Sequence, residues 1–324
     1  MKRSLSLLSS ALLVGLFSCT DHEVPNPGEV SRQTVAENLK SPIGLAFNAQ
    51  DQIFVTEAGT GNQDARVSMV MNGQTMPVVT GMQSIAAEGT IEGIGHLYFH
   101  GDSLYILHGI EGMIYSVKAS SLNPNQPLAA SSITRQFVRP FVDSLKLVTP
   151  LNSNVYNLTA GPNGDLYITD AGTNIVLKRE KGTGKLSLFA KIPKVTATAE
   201  AVPTGIVFDG QKFLVTALSG GPFIDGTSKI FQIDLAGNVS DYKTGFTTLT
   251  DITLSGANKP VVVQLARFAF APTPGFVPNS GNLLNEEGKA VATGFSMPTD
   301  IENKGTNKYY VLNHGSGKLE MVSW

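Results

Sequence analysis

Cysteine is nearly absent from this chain: one residue, Cys19, in 324. A single thiol excludes a disulfide framework and any Cys/His metal motif. Charge is also sparse, at 15% of residues with a formal net charge of −2. Removal of Lys2 and Arg3 with an N-terminal signal leaves the rest more acidic still. That balance excludes the basic footprint of a nucleic-acid binder. No stretch sustains an apolar i, i+3, i+4, i+7 stripe past two turns, so a helical fold is excluded as well. Gly-x-Ser-x-Gly is missing, as are a phosphate loop and a Gly-x-Gly-x-x-Gly placed between a strand and a helix. Ser219-Gly220-Gly221-Pro222 is glycine-rich but suits a turn, not a phosphate cradle.

What is abundant is turn chemistry: 33 Gly and 17 Pro. The segment Asn154 to Glu180 shows how they are used. Short β-prone runs at Tyr156 to Ala160, Leu166 to Thr169 and Ile175 to Arg179 are separated by Pro162-Asn163-Gly164-Asp165 and by Asp170 to Asn174. Such runs read as an antiparallel meander. Asn163-Gly164 is a strong hairpin signal, because both residues accept positive φ.

The unit repeats. Strands ending at Glu57, His108, Asp170, Ala217, Gln264 and Asn313 are separated by 51, 62, 47, 47 and 49 residues. Each follows a shorter first strand: Gly44 to Phe47, Gly95 to Phe99, Tyr156 to Ala160, Gly205 to Phe208, Asp251 to Leu254 and Asp300 to Asn303. Three of these carry a proline just ahead (Pro42, Pro203, Pro298), which suits a strand start where no ladder donor is needed. A period near 50 with several strands per period predicts an all-β fold, a six-bladed β-propeller. Val30 to Leu39 reads as a lone strand, and the last unit stops at its third strand. The N-terminal strand is therefore expected to complete the last blade and close the ring, removing open sheet edges. The longest insertion, Ser120 to about Pro150, is expected to hold one outer strand, Ile133 to Arg139, and a long surface loop.

Residues 1–18 read as a signal peptide: a charged Lys2-Arg3 and an apolar Leu5 to Phe17 too short for an ordinary spanning helix. Leu16-Phe17-Ser18-Cys19 resembles the lipobox of bacterial lipoproteins. The resemblance implies lipidation of Cys19, a membrane partner and an extracytoplasmic, periplasmic or surface-facing location. Residues 19–29, polar and proline-rich, read as a tether, and 30–324 as the propeller.

The second-strand ends and first-strand starts lie side by side in an antiparallel pair and are expected to form a rim around the channel. The rim candidates are Glu57, His108, Asn154, Asp170, Thr204, Asp251, Asp300 and Asn313. Two readings stand. In one, the acidic residues cap turns and the protein binds a ligand or a protein partner without catalysis. In the other, Glu57, Asn154, Asp170, Asp251 and Asp300 hold a hard cation such as Ca²⁺, and His108 serves as base in a metal-dependent hydrolase of lactones or esters. His96 and His100 read as structural.

Ser153-Asn154-Val155-Tyr156, Tyr167 to Asn174, Val202-Pro203-Thr204-Gly205 and Gly245 to Ile252 together resemble the ScyD/ScyE family. So does Ser41-Pro42-Ile43-Gly44-Leu45-Ala46-Phe47 followed by Val55 to Gly59. The resemblance spans roughly residues 38–324. It implies a propeller of the NHL or TolB-like type and an accessory role in making or exporting an aromatic metabolite. A pocket lined by Tyr98, Tyr156 and Phe223 would favour that role. No catalytic residues come with the resemblance. His108 and Gln264 depart from the carboxylates expected at their places.

Overall fold

A computed structural model describes residues 24–25, 29–87 and 89–324. The expected signal peptide, Cys19 and most of the expected tether lie outside the described residues. Among the described residues, no helix is long and apolar enough to cross a membrane.

Six antiparallel sheets form the blades. Their inner strands are Pro42–Phe47, Ile94–His100, Val155–Ala160, Pro203–Phe208, Leu249–Leu254 and Pro298–Asn303. Each packs beside the inner strand of the next blade, and the sixth packs against the first, so the sheets form a closed ring. The second strands end where expected, at Glu57, His108, Asp170, Ala217, Gln264 and Asn313. Pro42, Pro203 and Pro298 each open an inner strand.

Closure follows the expected route. Ser31–Ala36 pairs antiparallel with Lys318–Ser323, the third strand of blade 6. Arg32 fastens this strand on both sides. Its guanidinium donates to Glu320 at 2.6 Å and to the carbonyl of Thr293 at 2.8 Å, and stacks 3.9 Å above Phe295 of blade 5. The cores lie between blades: Tyr167 of blade 3 meets Phe213 of blade 4 at 4.1 Å between ring centroids. Side chains on the middle strands are almost wholly buried on both faces, which explains why Leu166 to Asp170 and Pro260 to Gln264 read as continuous runs.

Two features differ from expectation. The 120–150 insertion is not merely a loop. Leu128–Ala129 pairs in parallel with the outer strand of blade 1, giving that blade a fifth strand, and a short helix, Arg139–Ser144, buries Val142. Its outer strand is shorter than expected, Thr134–Phe137.

Every inner strand carries a register irregularity near its start. In blades 1 to 4 it falls between the first and fourth residues, as between Pro42 and Leu45. In blades 5 and 6 it falls between the first and third, as between Leu249 and Asp251. A bulge redirects one side chain and leaves its neighbour's N–H unpaired.

Candidate functional site

The rim expected from the sequence is a set of separate, closed networks. Glu57 is fully buried and accepts four hydrogen bonds: Arg66 Nε and Ser68 Oγ on Oε1, and Arg66 Nη2 and the Lys40 amide on Oε2, all at 2.6–3.0 Å. Asp170 accepts from Ser153 Oγ and from the amides of Asn154 and Thr173 at 2.6–3.0 Å. Both carboxylates hold the chain that leads into their own blade's inner strand. With four and three hydrogen bonds accepted, Glu57 and Asp170 keep about one lone pair between them for a cation.

His108 is used on both ring nitrogens. Nε2–H donates to the Gln83 carbonyl at 2.9 Å, and Nδ1 accepts the Glu111 amide at 3.3 Å. Burial lowers its basicity, against the pull of Glu111. A general base needs a free lone pair beside the reacting proton, and His108 has none. Asn313 donates to Glu320. Asn154 is exposed. Thr204 donates to the Leu249 carbonyl of the next blade at 3.0 Å, and Thr250 and Thr299 repeat that stitch to Pro298 and Pro42. Of the eight rim candidates, only Asp251 and Asp300 meet a ligand-competent cluster. Glu57, His108, Asp170 and Asn313 fail because second-strand ends sit one strand away from the axis, Asn154 because it is exposed ahead of its strand, and Thr204 because its hydroxyl is spent on the next blade. Phe223 packs with Phe268 and Phe276 of a small two-stranded sheet, while Tyr98 alone of the three expected aromatic residues lines the channel cavity, so they do not share a pocket.

The axis is lined instead by the third residue of each inner strand: Gly44, His96, Asn157, Gly205, Asp251 and Asp300 in blades 1 to 6. The two glycines organise the rest. A Cβ on Gly44 would lie 2.7 Å from His96 Cα, and one on Gly205 2.5 Å from Asp251 Oδ1. With those places vacated, side chains meet across them. His96 Nε2 lies 3.4 Å from Asp300 Oδ2 across blade 1, and Asn157 Nδ2 donates to Asp251 Oδ1 at 2.8 Å across blade 4. Asp251 also accepts the Ile301 amide, and Asp300 the Leu45 amide, at 3.0 and 2.7 Å. These are amides of the next blade, on the open edge of its inner strand. The two carboxyls hydrogen-bond to each other.

Positive charge is scarce here. Burial pushes Asp251 up to about 7. Asp300 rises well above the usual carboxylate range through burial, then the charge of Asp251. Glu302, two residues further along blade 6, is pushed up to about 8 by burial and Asp251. Burial takes His96 down to about 4. A neutral imidazole has one N–H, yet His96 faces only oxygens. Nδ1 is 3.0 Å from the Tyr156 carbonyl, and Nε2 is 3.2 Å from that of Thr299 besides Asp300. Ligand atoms of His96, Asp251 and Asp300 all lie within 4.8 Å of one another. His96, read from the sequence as structural, is thus at the centre.

A cavity of about 230 Å³ adjoins this cluster. Asn157, Asp251, Asp300 and Glu302 supply its polar wall, with Thr159 and Thr253. Its lining runs toward the far ends of the inner strands, at Ala160 and Phe208. It therefore opens on the face opposite the expected rim, since Pro42 pairs with Glu57 and Phe47 with Ile53. Six aligned inner strands would have revealed the cluster in the sequence. The first-strand alignment places blades 2 and 3 one residue out of step, and such a slip moves every side chain to the other face.

No known protein-family pattern matches the chain, and no curated protein does. Solved structures do. A protein of unknown function from Bacteroides thetaiotaomicron superposes with TM-score 0.61 at 12% identity, over 91% of this chain and 76% of that one. A putative gluconolactonase gives 0.57 at 11%, over 92% and 93%. Virginiamycin B lyase from Staphylococcus aureus gives 0.55 at 13%, over 91% and 100%. At these identities the likeness establishes the six-bladed propeller and nothing finer.

Proposed function

We propose that this protein is a membrane-anchored, extracytoplasmic propeller that binds a small ligand in its central channel, without catalysing a reaction on it. The observation that carries this reading is the acceptor-rich cavity, with three carboxyls, an amide and two threonine hydroxyls converging on about 230 Å³. Buried carboxyls are stable when paired or supplied with donors. The fitting occupant therefore brings positive charge or several N–H or O–H groups. The volume is below that of pockets for drug-sized molecules, so the ligand is small.

The anchor is the lipidated Cys19 of the lipobox-like segment. Ser31 pairs with Ser323, which also pairs with Lys308 at the start of its strand. The chain thus enters blade 6 at the same end as the cavity, and a short tether would hold the cavity toward the membrane. A non-catalytic role is supported by His108, whose nitrogens are both engaged. The ScyD/ScyE resemblance would make the ligand an intermediate of an aromatic metabolite; the polar lining favours a more hydrophilic molecule.

The test is a ligand-observed NMR screen of small amines, polyols and carboxylic acids against the wild type and Thr253→Trp, which fills the cavity wall. Binding of amines or polyols that Thr253→Trp abolishes while remaining folded supports the reading. Binding unaffected by the substitution, or turnover of a bound lactone or ester, overturns it.

A further inference from the structure

We infer that the charged occupant at the inner end of this cavity is a divalent metal ion, held by His96, Asp251 and Asp300. The inference rests on the channel-binding reading and specifies its chemistry.

Three independent features point to an ion. The first is geometry. Donor atoms around a shared ion at about 2.1 Å lie roughly 3–4 Å apart. The three side chains already bring one donor each within 4.8 Å of the others, from blades 2, 5 and 6, so a contraction of about 1–2 Å completes the set. The second is the histidine. His96 is 1% exposed and flanked by the Tyr156 carbonyl on one nitrogen and by Thr299 and Asp300 oxygens on the other. With Nδ1–H donated to Tyr156, Nε2 directs a lone pair at oxygens, which is unfavourable unless a cation or a proton lies between. A ligating histidine commonly has its other N–H on a backbone carbonyl, as here. The third is the backing of the carboxylates. Asp251 and Asp300 are each oriented by an amide of the neighbouring blade, and Asp251 also by Asn157, so their directions are set by the ring itself.

The donor set selects the metal. One imidazole with two carboxylates suits a first-row ion, Zn²⁺ by its imidazole or Mn²⁺ by its carboxylates, better than it suits Ca²⁺, which takes oxygen ligands alone. Asp251 and Asp300 also line the cavity, so remaining coordination positions face it. Gly44 and Gly205 are then specificity residues, since any side chain there would occupy the space through which the ligands meet.

Purified full-length protein, stripped with EDTA, would be titrated with Mn²⁺, Zn²⁺, Ca²⁺ and Mg²⁺ while metal content and melting temperature are followed. The comparison is Asp251→Asn combined with Asp300→Asn, which keeps oxygens for the Ile301 and Leu45 amides and removes the charge. The expected result is one equivalent of Mn²⁺ or Zn²⁺ per wild-type chain. Melting should rise by about 5 °C at an ion concentration 100-fold above Kd. The double variant should be folded, at least as stable in EDTA, and unresponsive. Anomalous scattering from crystals soaked with the ion should place it between His96 and Asp300. Folded wild type that takes up none of the four ions overturns the inference and leaves protons in the cluster. An equal response in the double variant overturns it too, because the ion then lies elsewhere. Amine or polyol binding that persists in EDTA without any ion uptake removes the metal alone and leaves the channel reading standing.

Discussion

Glu57 and Asp300 are both buried carboxyl groups in one ring, and they live in opposite circumstances. Glu57 accepts four hydrogen bonds, two of them from one guanidinium, and its lone pairs are spent. Asp300 receives the Leu45 amide and otherwise faces Asp251, Glu302 and a histidine short of protons. The same residue class therefore serves as a structural clasp in one place and as an underpaired acceptor in the other. What separates them is the count of donors against acceptors, not burial, which is nearly complete for both. A buried acid with a full complement of donors is part of the framework. A group of buried acids with too few is where a ligand gains most by arriving.

The largest test of that contrast is Glu57→Ala against Asp300→Asn. Losing Glu57 strands the Lys40 amide, Ser68 and a partly exposed Arg66, and should lower stability by about 3 kcal/mol. Denaturant unfolding would measure it. Asp300→Asn keeps the Leu45 acceptor and removes an unfavourable charge, so its stability at pH 8 in EDTA should equal or exceed wild type. A loss as large as that of Glu57→Ala would erase the distinction between the two regions.

Next in size is Gly205→Ala. A methyl group there meets Asp251 Oδ1, Asp251 Cα and the Ile252 nitrogen at 2.5–2.8 Å. Overpacking of this kind costs about 1–3 kcal/mol and should also part Asn157 from Asp251. Gly182→Ala is no control, because its φ of +86° is strained for any side chain. Gly275→Ala, with open space and no positive φ, should be near neutral in the same unfolding assay.

The pH dependence sharpens the contrast further. Asp251 and Glu302 are raised to about 7 and about 8, from unfolded values near 4. Between those limits the unfolded chain has released protons that the folded chain retains. Their contribution to stability is therefore complete below about pH 4 and is lost as the pH rises through 7–8. The slope is up to about 1.4 kcal/mol per pH unit for each group. In metal-free protein, the Asp251→Asn, Asp300→Asn double variant should flatten the fall between pH 5 and 8. An unchanged slope would mean that other groups produce it.

The smallest expected effect on the fold comes from Cys19→Ser. It should leave melting unchanged while moving the protein from the membrane fraction to the soluble one, as read by fractionation and by mass spectrometry of the N-terminal peptide. Retention in the membrane fraction would remove the lipid anchor from the proposed function.

Much of the fold was legible because a propeller repeats its turn chemistry. Asn163-Gly164, Pro203 and the evenly spaced strand ends are local signals, and each blade restates them. The missing fourth strand of blade 6 was legible by counting, and Ser31–Ala36 fills it. Leu128–Ala129 was not legible, because a two-residue strand owes its conformation to the edge of blade 1 and not to its own composition. The site divided in the same way. Asp251 and Asp300 followed prolines or threonines in an obvious register, and were found. His96 and Asn157 were passed over because blades 2 and 3 lack the proline that marks the strand start, leaving a one-residue slip uncorrected.

The amino-acid sequence by itself determined the blades, their number and the strand that closes the ring, since strand and turn preferences act over a few residues and the period multiplies them. Only the tertiary structure decided which polar groups belong together. His96 and Asp300 are 204 positions apart in the chain, and they meet because Gly44, between them in the ring, has no side chain to keep them apart. Closure of a ring is a long-range event. The donors that satisfy Glu57 come from its own blade, within 17 positions of it, whereas the shortage around Asp300 exists only once the ring has closed.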